Sequence, residues 1–556
     1  MRNLRTTNLS ISPARPWTFR IAMLACIILT ALSGATLQAQ FVYVDAYDFD
    51  CSVGCYPSDV GQLTRWSDGR LYGSTLQGAG SSYDGALFSF NPSSDAVKLE
   101  WQFQDNATGY YPNAALSLGS DGNFYGTTTQ GEASVFRYTP PGTLTVIHNF
   151  TGAEGTAVTA PTQARDGNFY GVTTSGTTYR ITYPGGVYQP LSGIVPLAGS
   201  IGFPLVASLD GNLYGTSGDF LNYGIIFRLT TAGKVDVIHN FSGPDGSAPD
   251  GVTLAADGNL YGTTGVGGAN GTGVVFKFTL PGHKLTVLYS FSSLQGSGQN
   301  PDGADPSNGL LAASDGYLYG ATSVGGNNTC GTLFRISTSG SFTKLAEFPN
   351  FNCVMYGPNT PYAALTENTD GTLYGLLSLA GGRGTLYALV PSSPPHNIII
   401  AGPIWVKPGV PVQILGDNLS EAVSVTFGGV EGTFQPGSNT FLNSIAPNDA
   451  VDGPIVVTLT NPAGQVQLQS QHNVHILPLI NNLDPPSGPV GTTVNVVGGG
   501  FIGTNKVTFG GVKVTSFRVV TPALIQAVVP AGAKTGKVAV VTPNGTAASN
   551  VKFTVK

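Results

Sequence analysis

The chain has 556 residues, 41% hydrophobic and 10% aromatic, which is enough apolar material for several folded cores and excludes a disordered chain. Charged residues are only 10% and glycine fills 76 positions, so the surface is built mostly of Ser, Thr, Asn and Gly, as in turn-dense all-β proteins. A formal net charge of -6 disfavours phosphate-backbone partners, and no nucleic-acid role is expected.

Residues 1–39 carry Arg2, Arg5, Arg15 and Arg20 but no Asp or Glu, then an apolar run over 21–32 and small residues up to Ala39. That order predicts a secretory signal peptide cleaved between Ala39 and Gln40, with Cys26 part of the leader because the apolar run continues past it. The run is too short for a comfortable membrane span. Without the leader, 21 basic residues face 31 acidic ones, and no later stretch approaches spanning length. A secreted, periplasmic or cell-surface chain is expected, with no membrane span, no C-terminal anchor and a monomeric state.

Beyond the leader, one phrase recurs. It opens as Asp68-Gly69-Arg70-Leu71-Tyr72-Gly73-Ser74 and returns at Asp121, Asp166, Asp210, Asp257, Asp315 and Asp370, spaced by 53, 45, 44, 47, 58 and 55 residues. Such a period marks a repeat architecture. Asp-Gly is the pair favoured in two-residue type I′ hairpin turns, so each copy is expected to be a turn entering a strand. A second run follows, such as Val274-Val275-Phe276-Lys277-Phe278, then a third, such as Val235-Asp236-Val237-Ile238-His239-Asn240-Phe241. A short fourth strand precedes the next Asp-Gly.

Four antiparallel strands in each of seven units predict a seven-bladed β-propeller over residues 40–390. Residues 43–49 read as a third-run strand with nothing ahead of it, and the last unit lacks that run after Thr385-Leu386-Tyr387-Ala388-Leu389. The N-terminal strand is therefore expected to complete the final blade and remove its free edge.

One blade should be irregular between Pro184 and Pro204, where Tyr188-Gln189-Pro190-Leu191 makes a poor third run. Longer connections at residues 292–309 and 349–361 should share a face with the cysteine loops, and long loops on a rigid scaffold are where function collects. Four cysteines remain in the mature chain, and four allow three pairings. If strands alternate in direction, Cys330 and Cys353 fall in loops on one side of one blade, so the expected bonds are Cys330 with Cys353 and Cys51 with Cys55.

The phrases Asp-Gly-Asn-Leu-Tyr-Gly-Thr, Gly-Thr-Gly-Val-Val-Phe-Lys and Val-Ile-His-Asn-Phe-Ser-Gly resemble the GloVer tandem-repeat family of exported bacterial proteins over residues 41–390. The resemblance implies a surface or secreted protein without implying a reaction.

After Pro391 the composition changes. Pro391-Ser392-Ser393-Pro394-Pro395 reads as a stiff linker, 391–397. Two segments, 398–477 and 478–556, then mirror one another: Val425-Thr426-Phe427-Gly428-Gly429-Val430 matches Val507-Thr508-Phe509-Gly510-Gly511-Val512. Short alternating strands over about 80 residues predict immunoglobulin-like sandwiches. The pair resembles tandem IPT/TIG domains, carried by Pro485-Pro486-Ser487-Gly488-Pro489-Val490-Gly491-Thr492-Thr493-Val494 in the second copy. That resemblance implies spacer or binding modules.

Candidate chemistry is sparse. Seven Asp residues beside turn glycines are structural by their repetition, and the repeated Tyr reads as packing between blades rather than a sugar platform. His148 and His239 share one strand position, as packing or hydrogen-bonding groups would. His472 and His475, three apart on a strand, should face opposite ways and so not chelate together. The glycine-rich run over 265–273 leads into a strand rather than a helix N-terminus, which excludes a phosphate cradle and nucleotide binding. No Gly-x-Ser-x-Gly elbow with a matching His and acid occurs.

On the loop face, four acids in Ser-Gly-Pro-Asp-Gly and Asn-Pro-Asp-Gly-Ala-Asp-Pro contexts are the candidates, Asp245, Asp250, Asp302 and Asp305. They suit a hard cation such as calcium or the hydroxyls of a sugar, although solvated turn residues read the same way. No catalytic residue, resident cofactor or other metal site is expected. The composite expectation is an exported, non-catalytic recognition or adhesion protein whose propeller loops bind a glycan or a surface protein. The alternative is an extracellular polysaccharide hydrolase or lyase with acids in the propeller mouth.

Overall fold

Each copy of the repeated phrase folds as a hairpin whose geometry follows from its Asp and Gly. The Asp Oδ1 accepts the backbone N–H two residues on, from Arg70, Asn123, Asn168, Asn212, Asn259, Tyr317 and Thr372, at 2.9–3.1 Å. The glycine sits at φ between 74° and 86° in all seven, while none of the seven Asp residues has positive φ. Gly69 donates to the Trp66 carbonyl and Trp66 to that of Arg70, both at 3.0 Å, and the pattern repeats in every copy. The loop is thus a three-residue turn with a left-handed glycine bulge, not the expected two-residue type I′ turn. Keeping Asp at negative φ leaves its carboxylate free to cap the next amide.

The computed structural model describes residues 41–556 apart from 59–60, 82–83, 105–107, 113–114, 157–158, 197–202, 219–222, 349–363, 378–382, 393–396, 401–403 and 462–463. The expected leader, its cleavage site at Ala39/Gln40, Cys353 and the connection at 349–361 lie outside the described residues. Those described form strands, with short 3-10 turns at Ala79–Ser81 and Leu419–Glu421.

Residues 41–391 make seven sheets, each of four strands in meander order, with Cys55–Pro57 added to the first. Blade one runs through Thr64–Arg65, Leu71–Gln77, Ala86–Asn91 and Ala96–Gln102. Blades two to six begin at the inner strands Ser117–Leu118, Thr162–Gln163, Val206–Ala207, Ser247–Leu254 and Ala304–Ala312. Blade seven has Thr366–Glu367, Leu373–Leu377 and Thr385–Pro391, and its outer strand is Phe41–Asp48, paired antiparallel with Tyr43 opposite Leu389. Tyr43 stacks on Tyr387 at 5.5 Å and meets Phe348 of blade six edge-on at 6.1 Å.

Closure is visible in the core as well as in the hydrogen bonds. Seven apolar clusters each join two neighbouring blades, and the last joins blade seven back to blade one through Tyr374, Leu376, Phe88 and Phe90. Each repeated Tyr lies in one of these seams. The glycine after it faces an aromatic residue across the sheet, as Gly73 faces Phe88 and Gly320 faces Phe334. A Cβ on any of the seven would come within 2.3–2.8 Å of that ring, so only glycine admits the seam's large side chains.

Blade three keeps four strands but is irregular where expected, since the step from Thr177 to Tyr179 in one strand spans that from Ile194 to Pro190 in the other. Tyr188–Ile194 is a complete outer strand paired to Thr177–Ile181, with one bulge. An outer strand has a free side, so Pro190 costs little there.

The C-terminal part has two cores. The first gathers Ile414, Phe427, Leu442 and Val457; Asn397–Ile400 pairs parallel with Gly464–Ser470 and antiparallel with Pro411–Leu415, joining its two layers. The second, around Val496, Phe509, Ile525 and Val540, lies between a four-stranded and a five-stranded sheet.

Candidate functional site

Strand alternation gives the ring two unlike sides. One carries the Asp-Gly turns; the other carries the loops between second and third strands and the crossings between blades. The first sandwich sits on the turn side. Arg65, 3% exposed, donates to the Gly416 carbonyl and to Asp417 Oδ1, both at 2.9 Å, and also to Asn368 of blade seven. Thr440 donates to the Ser67 carbonyl and Thr369 to Asp417. The first of the two C-terminal modules is therefore docked on the propeller.

A cavity of about 410 Å³ lies where the inner strands of blades two to five meet this sandwich, walled by Leu118, Val206, Leu254 and Trp405 and reached by His472 and His475. The chain bends at 471–472, so the two histidines reach one cavity instead of opposite faces. They differ in charge balance: burial lowers the His472 pKa, whereas His475 Nδ1 is 2.9 Å from Asp452 Oδ2. Among the described residues no three His, Cys, Asp or Glu side chains converge as a metal-binding group.

On the loop side, most conspicuous acids and histidines are engaged in turns. Asp245 accepts from Ser242 N at 2.8 Å and pairs with His239 Nε2 at 2.9 Å. Glu154 does the same for Thr151 and His148 two repeats earlier. Asp302 accepts from Tyr289 Oη at 2.7 Å and Ser292 N at 3.0 Å. Burial works to raise Asp245, but Ser242 and His239 outweigh it and its pKa falls below the usual carboxylate range. The connection over 292–309 is folded on buried Asn300, which bonds the Ser292 and Gly303 carbonyls and accepts from Gly303 and Gly326.

Asp250 and Asp305 behave differently. Both belong to inner strands near the loop side, Asp250 in blade five and Asp305 in blade six, and they meet at the seam beside Gly265. Asp305 has φ 53 just before Pro306, the place Ala248 holds before Pro249 with φ 54. Its backbone N–H bonds the Thr272 carbonyl at 3.0 Å, and Ser323 Oγ donates to its Oδ2 at 2.6 Å. Oδ2 of Asp250 is buried and has no hydrogen-bond partner. Burial first, and then the charge of Asp305, push the Asp250 pKa well above the usual range; burial raises Asp305 too, against the pull of Ser323. Of the four acids singled out in the sequence, two cap turns and two converge. Ser323, Gly265 and Asn300 were missed there; Gly265 stands where most copies have a side chain, as at Leu76, Thr129, Thr174 and Ser323, and where the fourth copy has Gly218.

Cys51 and Cys55 are bonded, with Cα atoms 4.6 Å apart. Cys330 is disulfide-bonded within blade six's loop, and its expected partner Cys353 is outside the described residues.

The profile of the Gloeobacter/Verrucomicrobia repeat matches residues 36–190 and 174–390, and that of the IPT/TIG domain matches 478–555. None of the curated proteins matches the chain. Among solved structures, an oligogalacturonate lyase from Vibrio parahaemolyticus is similar at 11% identity over 63% of this chain and 97% of its own, with TM-score 0.42. A putative gluconolactonase is similar at 12% identity over 64% and 94%, with TM-score 0.36. TolB from Acinetobacter baumannii is similar at 16% identity over 58% and 67%, with TM-score 0.30.

Proposed function

The chain belongs to the Gloeobacter/Verrucomicrobia repeat family, and on that premise we propose that it is an exported recognition protein whose propeller takes a ligand on its loop side. The observation that carries this reading is the first sandwich docked on the turn side through Arg65 and Asp417. That contact leaves to the loop side the mouth where the repeats differ most in length and in acids. Rigid seams below variable loops are a scaffold for recognition. An extracellular glycan is the preferred ligand, since acids and Asn side chains accept and donate to hydroxyls; a surface protein is the other class. Glycan-array and cell-wall pull-down binding by the full mature chain tests it. Loss of binding on substituting loop-side residues, with retention on substituting turn-side residues, is the expected result. Absence of any glycan or wall signal removes the glycan preference.

A second reading is favoured by one observation, the convergence of Asp250 and Asp305. Two carboxylates of unlike environment are what glycan-cleaving sites use, one protonated as the acid and one ionised. Release of reducing ends or unsaturated products from a polysaccharide panel, abolished in Asp250→Asn, supports it; turnover unaffected by that substitution excludes it.

A further inference from the structure

We propose that the seam between blades five and six holds a calcium ion, bound by Asp305 Oδ1, Asp250 Oδ2 and the Ala248 carbonyl in a cradle left open by Gly265. A Cβ placed on Gly265 would stand 2.7 Å from Asp305 Oδ1, 3.7 Å from Asp250 Oδ2 and 3.9 Å from the Ala248 carbonyl oxygen. Three oxygens therefore lie within 4 Å of one point beside the Gly265 backbone, on the side where any other residue would carry a side chain. Calcium takes oxygen ligands at roughly 2.3–2.6 Å in flexible geometry and completes its shell with water, so small shifts of these groups suffice. Magnesium demands tighter octahedral geometry and fits this uneven set less well.

Two features say that the cradle wants a cation rather than another hydrogen bond. Oδ2 of Asp250 is buried without a donor, a state that costs free energy unless something positive faces it. The neighbouring charge that Asp250 feels is the like charge of Asp305, and among the described residues no Lys or Arg acts on it. Meanwhile Ser323 occupies the other oxygen of Asp305 and the Thr272 carbonyl holds its backbone, so Oδ1 is left aimed into the cradle. Among the described residues the pair is particular to this seam. The aspartates that resemble it in sequence, Asp245 and Asp302, are consumed by Ser242, His239, Ser292 and Tyr289. The ion would bridge the inner strands of two blades next to the crossing over 292–303 and so fix the loop side on which recognition was placed, but its binding does not depend on that reading.

The test uses the full mature chain, stripped with chelator and titrated with CaCl2 by calorimetry and thermal denaturation. Expected are one ion per chain in the range of about 10⁻⁴–10⁻³ M typical of extracellular calcium modules, a higher midpoint of unfolding, and a much weaker response to MgCl2. Asp250→Asn should lower the affinity about tenfold or more by removing a charged ligand. Gly265→Ala should abolish binding without altering any charge, because its methyl fills the cradle; Asp305→Asn supplies a third variant should that one unfold. No heat and no thermal shift with wild-type protein at millimolar calcium would overturn the site, as would calcium binding undiminished in all three variants. Neither outcome bears on glycan binding, which is read separately.

Discussion

The Tyr261 hydroxyl donates to Asp257 Oδ2 at 2.7 Å, so the turn that starts a strand also holds the ring that this strand sends into the seam with the next blade. Lys277 Nζ reaches the same oxygen at 2.8 Å and lies 5.3 Å from the Tyr261 ring centroid. The same Tyr-to-Asp bond, at 2.6–3.0 Å, appears in blades one to six. Local turn and inter-blade packing are thereby made one unit. Tyr261→Phe should cost about 0.5–1.5 kcal/mol, a single hydrogen bond, whereas Asp257→Ala should cost about 1–3 kcal/mol because it strands a hydroxyl and a turn amide. Urea denaturation ranks the two, and an Asp257→Ala cost no larger than that of Tyr261→Phe would refute the coupling.

Two sets of carboxylates should give opposite pH signatures. Burial raises Asp257, but Lys277, Asn259 and Tyr261 together hold its pKa at about 2 against an ordinary 3.8. Its stabilisation is present above the unfolded value and is lost as pH falls through about 2. For Asp250 and Asp305 the folded pKa is raised, so without a cation their contribution is full below 3.8 and is lost as pH rises toward the folded values. In chelator, the midpoint of wild-type unfolding should carry a component that falls as pH rises above the ordinary carboxylate value and that Asp250→Asn flattens. Parallel profiles for the two proteins would contradict the buried pair.

Glycine substitutions should separate packing from chain entropy. Gly320→Ala places a methyl 2.6 Å from Phe334 and 2.9 Å from Leu310, and should destabilise by about 1–3 kcal/mol through overpacking. Gly296→Ala meets nothing within 4 Å and has no positive φ, so it should be neutral or stabilising by less than about 1 kcal/mol. Equal effects on thermal midpoint would discredit the cross-strand argument.

Removing residues 41–48 should open the ring. The deletion frees the edge of Thr385–Pro391 and uncovers Tyr387, which is fully buried against Tyr43. Edge pairing between molecules is the expected consequence, seen as oligomers in size-exclusion chromatography with light scattering and as a lower unfolding midpoint. A truncated chain that stays monomeric with an unchanged midpoint would deny the strand its closing role.

Arg65→Met should loosen the first sandwich from the turn side. The buried guanidinium loses bonds to the Gly416 carbonyl, Asp417 and Asn368, about 1–3 kcal/mol, discounted because Asp417 is 52% exposed and becomes solvated. Small-angle scattering should show a larger radius of gyration and limited proteolysis a faster cut near 391–403. An unchanged radius together with unchanged proteolysis would mean that other contacts suffice to dock it.

The repeated phrase, its seven copies and the unpaired strand at 43–49 were enough to define a closed ring of four-stranded blades, because period and apolar alternation are properties of the chain itself. The buried Tyr residues followed from the same local reading. What the chain could not disclose was which side groups meet across seams. Asp245, Asp250, Asp302 and Asp305 look alike in sequence, yet capping by Ser242 and Ser292 uses up two of them, while only the packing of blade six on blade five brings the other two to Gly265. The side covered by the first sandwich was equally illegible, since it rests on Arg65 finding Asp417, 352 positions away along the chain. Turn chemistry acts over a few residues and can be read from them; burial, desolvation and like-charge contact arise between distant segments and exist only once the ring has closed.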